Sequence, residues 1–376
     1  MPHLVTGGIE HVVLRLLQGL DRGRFVPLLF LRRETGELLA QLPNDVRRAD
    51  ADGRRALAMA PGLARWLRRE RVDLVYSGTN AVNLATLMAL RLMPARARPA
   101  SIISEHTSAG AYLAGAKGAV ARRAMIRLLY PRADLLMAPT AALCDDWTAL
   151  VGRKAPPAVV ARNPVLAQAE LASLRKAPPL RVPGRVICAG RLIADKGHDV
   201  VLRAIAALAP EMPDLHLKIF GQGPEGDNLA ALIRSLGLEG RARLEGTTPR
   251  LLHEMAQAQV VALGSRREGF GNVVIEGLAA GARLVATTCP GPRAILQDGR
   301  LGLLVPPDDL PAMIAALRQA LSAAPDTEGR AAEIRRTVDA YAIPATVAAF
   351  EDQCEALLAR LVPSRDQPSL ASASQG

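Results

Sequence analysis

Short β-branched runs alternate with alanine- and leucine-rich amphipathic stretches along almost the whole chain, and that alternation restricts the fold to βαβ units around parallel sheets. In the first half the strand-like runs fall at 26–31, 72–77, 101–105, 134–139 and 159–162, with helical patterns at 55–69, 82–92, 119–129 and 141–150. A second series opens at 186–189 and continues at 215–220, 243–245, 260–263, 284–287 and 303–305. Between the two series, Ala177-Pro178-Pro179-Leu180-Arg181-Val182-Pro183-Gly184 mixes turn formers with charge and loses periodicity. The expected fold is α/β, with two Rossmann-like doubly wound domains facing each other across a cleft and ligands at the carboxyl ends of the strands. The expected boundaries are 1–165 for the first domain, 166–184 for a linker and 185–343 for the second domain. One more helix at about 344–361 is expected to pack back on the first domain, and 362–376 reads as a disordered polar tail.

Charge divides along the same boundary. Residues 1–165 hold 24 basic and 13 acidic side chains and residues 166–376 hold 23 of each, so the net charge of +11 lies wholly in the first half. A basic domain joined to a neutral one points to a polyanion at one domain only, whether a membrane surface, a nucleic acid or an anionic acceptor. The densest cluster interleaves Lys117, Arg122, Arg123, Arg127 and Arg132 with Val120, Met125, Ile126, Leu128, Leu129 and Tyr130. On one helix Arg123 and Arg127 stack at i,i+4, while Met125, Leu128 and Leu129 are expected to share an apolar side. Single strands of nucleic acid need clustered aromatics to stack on, and those of the first half are scattered, so a nucleic-acid partner is not expected. Cys144, Cys188, Cys289 and Cys354 form neither a disulfide framework nor a zinc spacing, which fits a reducing compartment. No apolar run approaches the roughly 20 residues that span a bilayer. The expectation is a cytoplasmic protein, free or peripheral on the inner face of the cell membrane.

The pair Gly7-Gly8 before the helical pattern 9–20 reads as a strand-to-helix phosphate or substrate loop, yet only six residues precede it. The strand that should lead in is missing or a stub. Either the chain begins too late or this domain is truncated.

Three segments of the second half carry chemistry. Gly190-Arg191-Leu192-Ile193-Ala194-Asp195-Lys196-Gly197 sets a guanidinium and an ammonium five residues apart at one strand end, an arrangement suited to a diphosphate. Gly221-Gln222-Gly223-Pro224-Glu225-Gly226 is a formal G-x-G-x-x-G, which supplies the alternative of an NAD(P)-dependent dinucleotide oxidoreductase. That fingerprint usually sits on the first strand of its domain with an acid about 20 residues on, whereas this one follows the second strand. Finally, Glu268-Gly269-Phe270-Gly271-Asn272-Val273-Val274-Ile275-Glu276 places two glutamates around a glycine turn and a helix start. The first carboxylate can bind sugar hydroxyls, the free N–H groups phosphate, and the second carboxylate a ribose.

In these motifs and their order, together with Leu304-Val305-Pro306-Pro307, the second half resembles the nucleotide-sugar-binding domain of retaining group 1 glycosyltransferases, which have the GT-B fold. The first half resembles the family's acceptor domain through Gly7-Gly8-Ile9-Glu10, Ser104-Glu105-His106 and Asn163-Pro164. The resemblance implies transfer of a sugar from a nucleotide-sugar, a UDP-sugar foremost, to an envelope polysaccharide, lipopolysaccharide or lipid-linked glycan with retention of configuration. It implies catalytic roles for Arg191, Lys196, Glu268 and His106. Donor binding would fall to Gly7, Gly8, Gly221, Gly223, Gly269, Phe270, Gly271, Asn272, Val273 and Glu276. Cations in place of a metal would carry the leaving diphosphate, so no metal or other cofactor is expected. The segment Pro290-Gly291-Pro292-Arg293-Ala294 departs from the family, whose members have a longer glycine turn and a glutamate at the place of Ala294. A non-enzymatic polyanion-binding module is the third reading.

Overall fold

Among the described residues, twelve strands pair in parallel throughout, as crossover connections demand. They are β1 Leu28–Leu31, β2 Arg47–Asp50, β3 Leu74–Ser77, β4 Ala100–Ser104, β5 Leu135–Ala138, β6 Ala158–Val160, β7 Arg185–Ala189, β8 His216–Phe220, β9 Ala242–Gly246, β10 Val260–Leu263, β11 Arg283–Thr287 and β12 Leu303–Val305. The computed structural model describes residues 1–5, 7–114, 118–324 and 327–361. It divides into two units, Met1–Pro164 with the chain from Pro344, and Val165–Ile343. Lys117 and the expected tail lie outside the described residues.

In the second unit the strands lie in the order β12-β11-β10-β7-β8-β9. Counted from β7, this is the doubly wound order of a dinucleotide-type sheet, with its topological switch between β7 and β10. Both faces are covered at the centre of the sheet, where β10 is buried and apolar throughout, whereas the edge strand β9 exposes Arg243 and Glu245. Val186 and Cys188 pack with the helices His198–Leu208 and Leu310–Ser322, and the alternating Ile187 and Ala189 pack with the helix Asn272–Ala279.

The first unit holds a four-stranded sheet, β3-β4-β5-β6, and a separate pair, β1-β2. Ile103, Leu136 and Ala138 pack toward the helices Ala60–Arg69, Asn80–Arg91 and Ala141–Val151. Ile102, Leu135 and Met137 pack on Cys354 and Leu357 of the C-terminal helix Ile343–Leu361. That helix is also fixed by Phe350, edge-on to Tyr76 at 5.3 Å, and by Glu351, which accepts from Arg24 at 3.0 Å and from the Asp21 amide at 2.6 Å. Its acids move charge between the units. With the chain from 344 counted in, the first unit carries 26 basic and 17 acidic side chains and the second 21 and 19.

Three features depart from the sequence reading. The stretch 166–184 is not an open linker: Gln168–Lys176 is helical, with Leu171 buried in the second unit's core. Strand β2, Arg-Arg-Ala-Asp, carries no β-branched residue and is held at the sheet edge by its backbone pairing to β1. On the helix Ala119–Leu129, Ile126 and Leu129 are buried but Leu128 is 56% exposed. At 100° per residue, Leu128 lies about 200° around the axis from Ile126, so it joins Val120, Ala124, Arg123 and Arg127 on the solvent face.

Candidate functional site

At the switch point the chain leaves β7 and β10 in opposite directions, which opens a crevice at their carboxyl ends. Strand β7 delivers Gly190 to Gly197, and β10 delivers Gly264 to Gly271. The two loops meet backbone to backbone at Gly197 and Gly264. Gly197 has φ +58°, and a Cβ there would stand 1.9 Å from the Gly264 carbonyl oxygen; one on Gly264 would stand 2.3 Å from the Gly197 oxygen. Glycine at both positions therefore lets the helix His198–Leu208 begin directly beside β10.

Ion pairs fasten the same junction. Arg266 forks onto Asp199 at 3.0 and 2.9 Å and reaches Asp308 at 2.7 Å, while Arg267 binds Asp195 at 2.8 Å. Burial alone would raise the Asp199 carboxyl, but the Arg266 guanidinium outweighs it and holds it below the ordinary range. Between these pairs the Lys196 ammonium donates to the Glu268 carboxylate, with the two side chains only 23% and 14% exposed. Two residues that sequence spacing assigned to donor chemistry, 72 positions apart, thus meet in one shielded pair. Arg191 is exposed on the same loop and makes no ion pair among the described residues. Beneath the loop, Thr287 donates to the Ser265 carbonyl at 2.6 Å, and the Cys289 thiol to the same oxygen at 3.2 Å.

The helix Asn272–Ala279 starts at Gly271, whose φ of +88° turns the chain into it. Amides of Asn272 and Val273 form its first turn, where helix N–H groups lack intrahelical acceptors. Glu276, half-buried, follows one turn on. Phe270 is placed differently from its expected donor role. Its ring is buried 5.6 Å from Tyr341 in the core, and Gly291 presses on its backbone, so only its main chain borders the loop. The divergent segment after Cys289 is the short helix Pro290–Ile295.

Gly221 and Gly223 follow β8, beside the switch. A Cβ on Gly221 would stand 1.9 Å from the Gly190 oxygen, and one on Gly223 2.4 Å from the Leu192 oxygen. Leu192 is locked there, donating to Gln222 and accepting from Glu225, each at 2.9 Å. These glycines are accounted for by the 190–192 loop packing on them, which removes the support they lent to a dinucleotide fingerprint. His198, passed over in the sequence, sits buried behind Lys196 with Nε2 unpartnered, and burial pushes its pKa down to about 4.

In the first unit Gly7 caps the helix Gly8–Gly19 in extended conformation. The Glu10 carboxylate folds back over it, so that a Cβ on Gly7 would stand 2.3 Å from Oε2. An anion approaching this helix end meets a buried carboxylate, which weighs against reading Gly7-Gly8 as a phosphate loop. His106 follows β4, its Nε2 3.0 Å from the Ser104 hydroxyl, and burial pushes its pKa down to about 4. Its neighbour Glu105 is buried and accepts from Tyr130, from Asn83 at 2.9 Å and from Asn80 at 3.3 Å. Desolvation outweighs these donors and raises it to about 7. Asp50-Ala51-Asp52 is an Asp-x-Asp, and its Asp50 is engaged by the amides of Glu34 and Asp52 at 3.0 and 3.2 Å. No cluster of three His, Cys, Asp or Glu suited to a metal ion occurs among the described residues.

Comparison with known proteins bears on both units. Residues 183–323 match the family model described as glycosyl transferases group 1, and residues 6–167 that of glycosyltransferase family 4. A lipopolysaccharide core biosynthesis glycosyltransferase, LpsE of Rhizobium meliloti, is 34% identical over 36% of this chain and 38% of its own length. An N-acetylgalactosaminyltransferase of Campylobacter jejuni, whose name gives a diphospho-undecaprenol acceptor, is 29% identical over 66% of this chain and 67% of its own. The chain thus spans little more than a third of the first relative and about two thirds of the second. The solved structure of HepE from Anabaena in complex with UDP superposes with a TM-score of 0.67, at 19% identity, over 97% of this chain and 99% of that one, a likeness of fold.

Proposed function

Because the chain belongs to the group 1 glycosyltransferases, we propose that it moves a sugar from a UDP-sugar to an envelope polysaccharide, lipopolysaccharide or lipid-linked glycan, with retention of configuration. The observation that carries this is the Lys196–Glu268 pair at the switch point, flanked by exposed Arg191 and the helix start at Gly271. A diphosphate entering the crevice competes for the ammonium. Lys196 and Arg191 then take the charge that builds on the leaving group, with Asn272 and Val273 amides adding donors. Glu268, released from Lys196, is left to accept hydrogen bonds from sugar hydroxyls, and Glu276 stands one turn on for the ribose. With two cations on the diphosphate, transfer needs no divalent metal. The leaving phosphate takes the acceptor's proton as the acceptor attacks from the face it vacates, so no side chain serves as nucleophile.

His106 is assigned a place beside the donor sugar as a neutral imidazole, since its depressed pKa keeps it uncharged at pH 7. The acceptor reading draws on the names of the relatives and on the first unit's charge. The solvent face of the helix Ala119–Leu129, with Val120, Leu128, Arg123 and Arg127, combines apolar and cationic groups as an anionic membrane surface would require. No helix among the described residues is long and apolar enough to cross a membrane. Thermal unfolding with and without nucleotide tests the donor class: UDP is expected to raise the Tm and NAD(P) to leave it unchanged. Stabilisation by NAD(P) alone would overturn the proposal.

A further inference from the structure

A cavity of about 390 Å³ opens in the first unit between the pair β1-β2 and the helix Ala60–Arg69. Its size falls within the range of small-molecule sites, roughly 300–1,000 Å³. One wall is aromatic: Trp66 is half-buried, with its ring 5.3 Å from that of Phe30. The rim is charged, with Arg54, Arg65 and Arg69 set against Asp50 and Asp52. Helix periodicity gathers half of this set. At 100° per residue Arg65, Trp66 and Arg69 lie about −60°, +40° and −20° from Gly62, on one face about 100° wide. A Cβ on Gly62 would meet nothing within 4 Å, so no neighbour requires glycine there. Its missing side chain keeps the floor between the indole and the guanidiniums clear. Arg54 and Arg65 are exposed and make no ion pair among the described residues, whereas Arg69 is held by Glu70 at 2.9 Å. Asp50 is already engaged by two backbone amides, which leaves Asp52 as the acceptor on the rim.

We propose that this cavity binds one acidic pyranose unit of the acceptor glycan, a sugar ring carrying a carboxylate or a phosphate, through residues separate from those assigned to the reaction. The inference rests on the reading of the acceptor as a glycan. A pyranose presents a face of C–H groups, slightly positive, which packs on the negative face of an indole. Its hydroxyls lie at the ring edge and need both donors and acceptors, here guanidinium N–H groups and the Asp52 carboxylate. The unpaired Arg54 and Arg65 set the charge of the ligand, since a guanidinium forks a carboxylate or phosphate in two parallel hydrogen bonds. The first unit's excess of basic side chains, 26 against 17, favours an anionic glycan in the same sense.

Tryptophan fluorescence tests this directly, because the chain has two tryptophans and Trp147 is fully buried, so that Trp66 answers to an added quencher. Tetragalacturonate or galactose 6-phosphate at millimolar concentration is expected to lower acrylamide quenching at least about twofold, and maltotetraose to leave it unchanged. The protection should weaken with added salt. In the double variant Arg54→Glu, Arg65→Glu it should need at least about tenfold more ligand. In Gly62→Leu, which fills the floor where no neighbour is displaced, it should be lost. No protection by either acidic sugar would overturn the proposal. So would equal protection by maltotetraose, by inorganic phosphate or by UMP, which would make the cavity a neutral-sugar, simple anion or nucleobase site. UDP binding measured in the same three proteins should be equal. Protection by an acidic sugar in a chain that binds no UDP would support this site and count against the donor reading alone.

Discussion

Replacing Gly197 with alanine tests whether the two switch-point loops are built on backbone contact. Two costs add. A φ of +58° disfavours any side chain by about 1 kcal/mol. The new methyl would also stand 1.9 Å from the Gly264 carbonyl oxygen, a backbone atom that must retreat by roughly 1 Å, at about 2 kcal/mol by analogy with overpacked cores. Gly237 is the internal control: it shares the conformation, φ +63°, but has nothing within 4 Å of its Cβ position. At about 2–4 °C per kcal/mol for a unit of this size, Gly197→Ala should lower the second unit's Tm by about 6–12 °C and Gly237→Ala by about 2–4 °C. Because Lys196 is the preceding residue, Gly197→Ala should also weaken UDP binding about tenfold, while Gly237→Ala leaves it unchanged. Differential scanning calorimetry and titration calorimetry read both quantities. Equal Tm losses in the two variants, or unaltered UDP binding in Gly197→Ala, would refute the reasoning.

Lys196→Ala and Glu276→Ala should each raise the Kd for UDP by about 10- to 100-fold, the worth of one charge-assisted hydrogen bond, as measured by titration calorimetry. Glu105 titrates near 7 when folded against an ordinary value of 4.5, so the folded state holds the proton more tightly. The stability this gives, about 3 kcal/mol, is complete below pH 4.5 and lost as pH rises through 7. Denaturant unfolding of the first unit between pH 4.5 and 8 should show that decline, and Glu105→Gln should flatten it. The His106 ring resonances should not titrate between pH 5.5 and 8, given a pKa near 4; a midpoint near 6.5 by NMR would contradict its burial. Co-sedimentation with phosphatidylglycerol vesicles in low salt should fall at least about tenfold in the double variant Arg123→Glu, Arg127→Glu, and equal binding to neutral vesicles would exclude an electrostatic surface.

Periodicity made eleven of the twelve described strands legible, because central strands buried on both faces read as short apolar runs. Strand β2 escaped because an edge strand can pair through backbone alone, and Gln168–Lys176 because a short helix with one buried leucine leaves little period. The site was legible where chemistry dictates residue type: Lys196 and Glu268 were singled out for donor contacts and meet in the fold. What fastens them was not, since Arg266–Asp199 and Arg267–Asp195 join positions 67 and 72 apart with no local pattern. Glycines misled in the other direction. Gly221 and Gly223 spell a phosphate fingerprint, yet a crossing loop explains them, and Phe270 lies within a motif for a packing reason.

The central claim, transfer from a nucleotide-sugar at the β7–β10 crevice by cations alone, is tested most directly by UDP release from a panel of UDP-sugars in the presence of EDTA. The account predicts release from at least one UDP-sugar, unaffected by EDTA, and at least about 100-fold slower in Lys196→Ala. Release abolished by EDTA, or undiminished in Lys196→Ala, would contradict it.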